Sequence, residues 1–172
     1  MERIKELYEL YKEAVFRYFL RMTGNSEEAG ELTQETFYQV CLSLYRFRQE
    51  SSLKTWLFSI ARNVYLKKLR TKSRQKTMAW EENLAFHDRD TPLGDPIAQM
   101  LIMKEERERV QAALSHLPEN AKTIIILKEY EQLSYEEIAV IFGQTVNWAR
   151  VTFFRAKKQL GQVYRKLEDD QK

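Results

Sequence analysis

The side chains with the clearest chemistry in this chain are cations laid out in two one-sign runs. The first is Arg62, Lys67, Lys68, Arg70, Lys72, Arg74 and Lys76, within fifteen residues and with no acid among them. The second is Arg150, Arg155, Lys157, Lys158, Arg165 and Lys166, again with no acid between 150 and 166. A surface helix that needs only to be soluble mixes its signs, so runs of this kind are the footprint of a polyanion. Lysine and arginine hold phosphates without reading sequence, whereas an arginine set against a base edge can grip guanine O6 and N7 together. The net charge is only +3, so placement rather than sum carries the inference. Catalysis has no comparable foundation. His87 and His116 stand alone, and the acids Glu81, Glu82, Asp88, Asp90 and Asp95 fall where periodicity vanishes. Neither a metal, a cofactor nor a small-molecule substrate is expected, and the chain does not read as an enzyme.

The second basic run needs an element to aim it. Ser134 and Glu137 have the S-x-x-E spacing of a capping box, in which each side chain satisfies a backbone N–H at a helix start. Ile138, Ala139 and Ile141 give that short helix one apolar face, and Gly143 can take the left-handed conformation that ends it. Trp148, Val151 or Thr152, Ala156 and Leu160 then recur at helical spacing through the basic run. A short helix, a tight glycine turn and a longer basic helix make a helix-turn-helix, whose second helix enters the major groove of DNA.

The rest of the chain reads as helices as well, with only five glycines and three prolines in 172 residues. Ile4, Leu7, Tyr8, Tyr11, Val15, Tyr18, Phe19 and Met22 mark a helix over 2–22, and Ser26 with Glu27 and Glu28 starts the next. That second helix is expected to run to about Phe47, with Leu32, Thr36 or Phe37, Val40, Cys41, Leu44 and Tyr45 inward. After a polar loop, Leu53, Trp56, Leu57, Ile60, Ala61 and Val64 form a third helical face, and Trp56 is read as core because it shares that stripe. An acidic, flexible linker is expected over 77–95, with Asp95 capping and Pro96 opening the helix that follows. Ile97, Leu101, Val110, Leu114 and Leu117 mark that helix to about His116; Pro118 restarts the chain, and Ile124, Ile125, Leu127 and Tyr130 pack beneath the helix-turn-helix. Beyond Lys166 the tail is expected to fray. The expected architecture is all-α, with two small helical domains at 1–76 and 96–172. Cys41 is the sole cysteine, no run approaches the ~20 apolar residues of a membrane span, and the start is not a signal peptide, which suits a reduced cytoplasmic protein.

Four blocks in order carry a resemblance. They are Glu31 to Phe37 (ELTQETF), Ser51 to Asn63 (SSLKTWLFSIARN), Leu117-Pro118, and the capping box with its helix-turn-helix. From about Leu7 to Leu160 the chain resembles an extracytoplasmic-function (ECF) sigma factor of the sigma-70 family. The resemblance implies that the first domain is region 2 and the second region 4. Glu31, Gln34 and Glu35 would dock on the clamp helices of the β′ subunit of core RNA polymerase, whose β subunit would be a further partner. Phe47 and Asn63 align with the pocket for a flipped base of the promoter −10 element, where an aromatic wall and an edge-reading amide are needed. Arg62, Lys67, Lys68 and Arg70 would hold phosphates beside the opened duplex. Arg150, Val151, Phe154 and Arg155 align with the helix face toward the −35 element, with Lys158 one turn on. Trp148 stands where the family commonly has threonine; it either packs against the first helix or reaches the DNA backbone. An anti-sigma factor is an expected partner. The rival reading is a helix-turn-helix regulator that binds DNA alone, which leaves the Trp56–Asn63 block and the first basic helix without a role.

Overall fold

The computed structural model describes the backbone of residues 2–78 and 97–170 and the side chains of 2–75 and 103–170. Among these residues every regular element is a helix: α1 (Glu2–Thr23), α2 (Ser26–Ser43), α3 (Leu53–Met78), α4 (Ile97–Ser115), α5 (Glu119–Ile125), α6 (Tyr135–Phe142) and α7 (Val146–Asp169). A 3-10 turn (Leu44–Arg46) follows α2, and a π-helical turn (Ile126–Tyr130) follows α5. The expected linker lies almost wholly outside the described residues, as do the Asp95 cap and Pro96; Thr77 and Met78 belong to α3.

The first bundle packs α1 and α3 on α2. Val15, Tyr18 and Phe19 from α1, Leu32 and Val40 from α2, and Leu57, Phe58 and Ala61 from α3 are buried in it, with Tyr18 edge-on to Phe58 at 5.5 Å between ring centroids. In the second bundle α4, α5 and α6 pack on α7, burying Leu114, Ile124, Ile138, Ala149, Phe153 and Ala156. Each apolar stripe leaves water along one face of its helix, and that burial is the main stabilising term.

The structure corrects several sequence expectations. Asn25, not Ser26, caps α2: its side chain accepts from Glu28 N–H at 3.0 Å. The helix also stops at Ser43 rather than running to Phe47; the Ser43 hydroxyl bonds back to the Gln39 carbonyl at 2.6 Å, the next turn tightens, and Gln49 reverses the chain at φ 57°. Cys41 and Tyr45 are exposed instead of inward. With a period of 3.6 residues the inward stripe of α2 is Ala29, Leu32, Thr33, Thr36, Phe37 and Val40, and position 41 stands ~40° beyond Phe37, just outside the edge of the stripe. Tyr130 is exposed too: it ends the π-turn, closed by Glu131 N–H to the Ile126 carbonyl at 3.1 Å, which shifts the register. At the other end α7 continues through the expected tail to Asp169.

Candidate nucleic-acid interface

The helix-turn-helix forms as its residues dictate. The Ser134 side chain accepts from Glu137 N–H at 3.1 Å, and the Glu137 carboxylate accepts from Ser134 N–H at 2.8 Å. Gly143 closes α6 in the left-handed region at φ 62°. Thr145 then caps α7 by accepting from Trp148 N–H at 3.1 Å, a cap that a T-x-x spacing ahead of the basic helix could have revealed. Ala149, Phe153 and Ala156 face the core, and Arg150, Val151, Phe154, Arg155 and Lys158 are exposed on the opposite side of α7. Phe154 is 73% exposed, so this face combines two guanidiniums and an ammonium with an uncovered aromatic ring. Arg150 is steadied over the Tyr135 ring, 5.5 Å from its centroid. Trp148 packs on Phe142 at 5.1 Å, which is the first of its two expected placements.

On α3 the structure sorts the first basic run by direction. Asn63, Lys67, Arg70 and Arg74 are exposed and share one stripe at helical spacing. Arg62 lies off that stripe, half-buried, with its guanidinium 4.2 Å from the centroid of the Phe142 ring and 3.4 Å from Asn120 Oδ1. Lys68 lies off it on the other side, paired with Glu31 at 3.0 Å and Glu28 at 3.6 Å, and Lys72 also pairs with Glu28. So the phosphate set expected from sequence is split: Lys67 and Arg70 sit with Asn63, whereas Arg62 and Lys68 are engaged elsewhere. Phe47 is half-buried and meets Trp56 at 4.9 Å, making an aromatic pair at the turn before α3.

A further surface lies on α2. Glu31, Gln34 and Glu35 are exposed, and Glu35 accepts from the Gln39 amide at 2.8 Å. The same face continues through Tyr38, Leu42 and, past the helix end, Tyr45, which is 75% exposed. Sequence reasoning missed this apolar continuation. The signal was present, since Tyr38 and Leu42 stand four and eight residues beyond Gln34.

Residues 7–75 match Sigma-70 region 2, and residues 107–160 match Sigma-70, region 4. The RNA polymerase sigma factor YlaC of Bacillus subtilis is 30% identical over 99% of this chain and 97% of its own length. The chain belongs to the ECF sigma factors of the sigma-70 family. A second relative, the ECF RNA polymerase sigma-E factor of Haemophilus influenzae, is 36% identical over 76% of this chain and 71% of its own. The fold is shared with the sigma factor RpoE of Bartonella quintana, solved in complex with the anti-sigma factor NepR, at a TM-score of 0.74 and 23% identity, covering 96% of this chain and 98% of that one.

In this ECF sigma factor the region 2 match takes in all of α2 and most of α1 and α3, and the region 4 match takes in α5, α6 and the first part of α7. The exposed α2 face and the basic α3 stripe both belong to region 2, and the basic face of α7 to region 4. Among the described residues no group of His, Cys, Asp or Glu could hold a metal ion, and no helix is long and apolar enough to cross a membrane.

Proposed function

We propose that this sigma factor joins core RNA polymerase and directs it to promoters, reading the −10 element with residues 1–76 and the −35 element with residues 96–172. The observation that carries the reading is the division of exposed surfaces. A polar and apolar strip from Glu31 on α2 to Tyr45 just past its end suits a protein partner, the β′ clamp helices, whereas the α3 stripe and the α7 face suit DNA. A regulator acting alone would need the α7 face and no α2 strip.

In region 2, Lys67 and Arg70 hold backbone phosphates beside Asn63, which reads the edge of an extruded base, and Phe47, packed on Trp56, offers the wall against which that base stacks. In region 4, Arg150 and Arg155 reach base edges while Lys158 anchors the phosphate backbone. The work is binding work: strand opening is driven by contacts to unpaired bases, with no bond made or broken by the protein. The compartment of action is the cytoplasm, where polymerase and chromosome meet. Since RpoE of Bartonella quintana was solved with an anti-sigma factor, a partner of that kind is proposed here as well. The test is run-off transcription with purified core polymerase on genomic promoter fragments. Defined start sites that depend on adding this chain are expected; no start above core alone would overturn the proposal.

A further inference from the structure

The exposed face of α7 is apolar at its centre. A helix turns ~100° per residue, so with Arg150 as origin Phe154 stands ~40°, Val151 ~100° and Arg155 ~140° around the axis. Two guanidiniums therefore flank an apolar pair. The rise of ~1.5 Å per residue sets the two arginines ~7.5 Å apart along the axis, roughly two base-pair steps. Val151 is 37% exposed and Phe154 73% exposed. Neighbouring rings are engaged: Tyr135 meets Phe153 edge to face at 5.9 Å between centroids, and Phe142 meets Trp148. Among the described residues no ring or cation packs on Phe154. A helix built only to hold phosphates would carry a polar side chain there, since an uncovered phenylalanine forgoes the stabilisation of burial.

We propose that Val151 and Phe154 select thymine in the −35 element, by apolar contact with its C5-methyl group beside the pairs gripped by Arg150 and Arg155. This deepens, and rests on, the assignment of α7 to the −35 element. Thymine alone among the four bases presents a methyl group in the major groove. Neither side chain has a donor or acceptor, so the other bases give this pair nothing to bind by hydrogen bonding. The cations on both sides decide what covers it: with no acid between 150 and 166, they draw the phosphates of a duplex, and its base edges then meet the ring. Cytosine at that place does worse than lack the methyl group, because its N4 amine is pressed unpaired against the ring. The thymine can stand on either strand, so the element read holds a T·A or A·T pair next to a guanine.

The probe is a duplex promoter taken from the start sites found by run-off transcription. Each thymine of its −35 element is replaced in turn by deoxyuridine, which removes the methyl group and keeps the base pairing. With holoenzyme carrying the wild-type chain, at least one replacement is expected to weaken binding about fourfold, the worth of one buried methyl group. Exchange of the same pair for C·G should weaken it about tenfold. Phe154→Ala and Val151→Ser alter exposed positions, with helicity by circular dichroism checking each fold. Each should abolish the uracil penalty at the thymine its side chain faces, whereas Arg150→Ala should keep that penalty and lose preference for guanine. No effect of uracil at any position, a −35 element without thymine on either strand, or an undiminished penalty in both variants would overturn the proposal. So would Phe154→Ala weakening assembly with core polymerase while the penalty stays intact, which would assign the ring to a protein surface. Failure of the sigma-factor reading shows separately, as absence of core-dependent start sites with the wild-type chain.

Discussion

Arg150 is the side chain proposed to carry specificity by itself. It lies in the first turns of α7, exposed between Ala149 and Val151, neither of which can donate from its side chain, and the Tyr135 ring limits its swing. Arg150→Ala should cost about 1–3 kcal/mol in holoenzyme binding and relax selectivity at one −35 base pair, measured on four promoter variants. If the four variants keep their order and spacing, Arg150 is a phosphate anchor and readout passes to Arg155. The α3 lysines give a second comparison. Lys67→Ala or Arg70→Ala should make the salt dependence of promoter binding shallower by about one counterion each, whereas Lys68→Ala, already neutralised by Glu28 and Glu31, should change it by less. Equal slopes for all three would contradict the split of the basic run. Glu131 offers a stability test. Burial pushes its carboxyl above the ordinary range, against the pull of Lys54, Arg21 and Arg17. An acid whose pKa is raised by folding loses stability as pH rises from its unfolded value through its folded one. Glu131→Gln should therefore raise the melting temperature at pH 7 and leave it unchanged at pH 3; the same shift at both would point to packing instead.

At the scale of elements, the most legible part of the sequence was the helix-turn-helix, because capping boxes and glycine turns are written in adjacent residues. Gly143→Ala tests that legibility: nothing lies within 4 Å of an added Cβ, so the cost is conformational alone. It should be about 1–2 kcal/mol in denaturant unfolding; a neutral result would mean that α6 ends without needing the left-handed turn. The faces of α2 and α3 were less legible. Apolar spacing alone put Cys41 and Tyr45 inside, whereas the burial of α2 from two sides by α1 and α3 fixes a stripe that ends at Val40. Likewise the basic run read as one surface, yet a helix turns ~100° per residue, so Arg62 and Lys68 leave the stripe of Lys67 and Arg70 and meet partners from other helices. The π-turn at Ile126–Tyr130 had no local signal; its extra residue appears only when Leu127 and Tyr130 are seen to face differently.

For the whole molecule, the packing of the two regions on each other along α3 and α6 could not be read from sequence at all, since Thr55 and Glu137, which bond across it, are 82 positions apart and neither belongs to a motif that names the other. The exposed strip on α2 proposed for docking was half legible, through Gln34 and Glu35. Replacing both with Ala should weaken binding to core polymerase while leaving helicity intact, because neither side chain is buried. Tyr38→Ala should weaken it further, by about 2 kcal/mol if the ring is an anchor of the interface. Full affinity after these changes would move the docking site off α2. Promoter recognition is proposed to belong to the complex of this chain with polymerase, and a titration of labelled promoter DNA with and without core polymerase puts that to the test. Weak, salt-sensitive and sequence-indifferent binding is expected of the chain alone, and tight, promoter-selective binding once core polymerase is added. Tight, selective binding by the chain alone, unchanged by core polymerase, would contradict it.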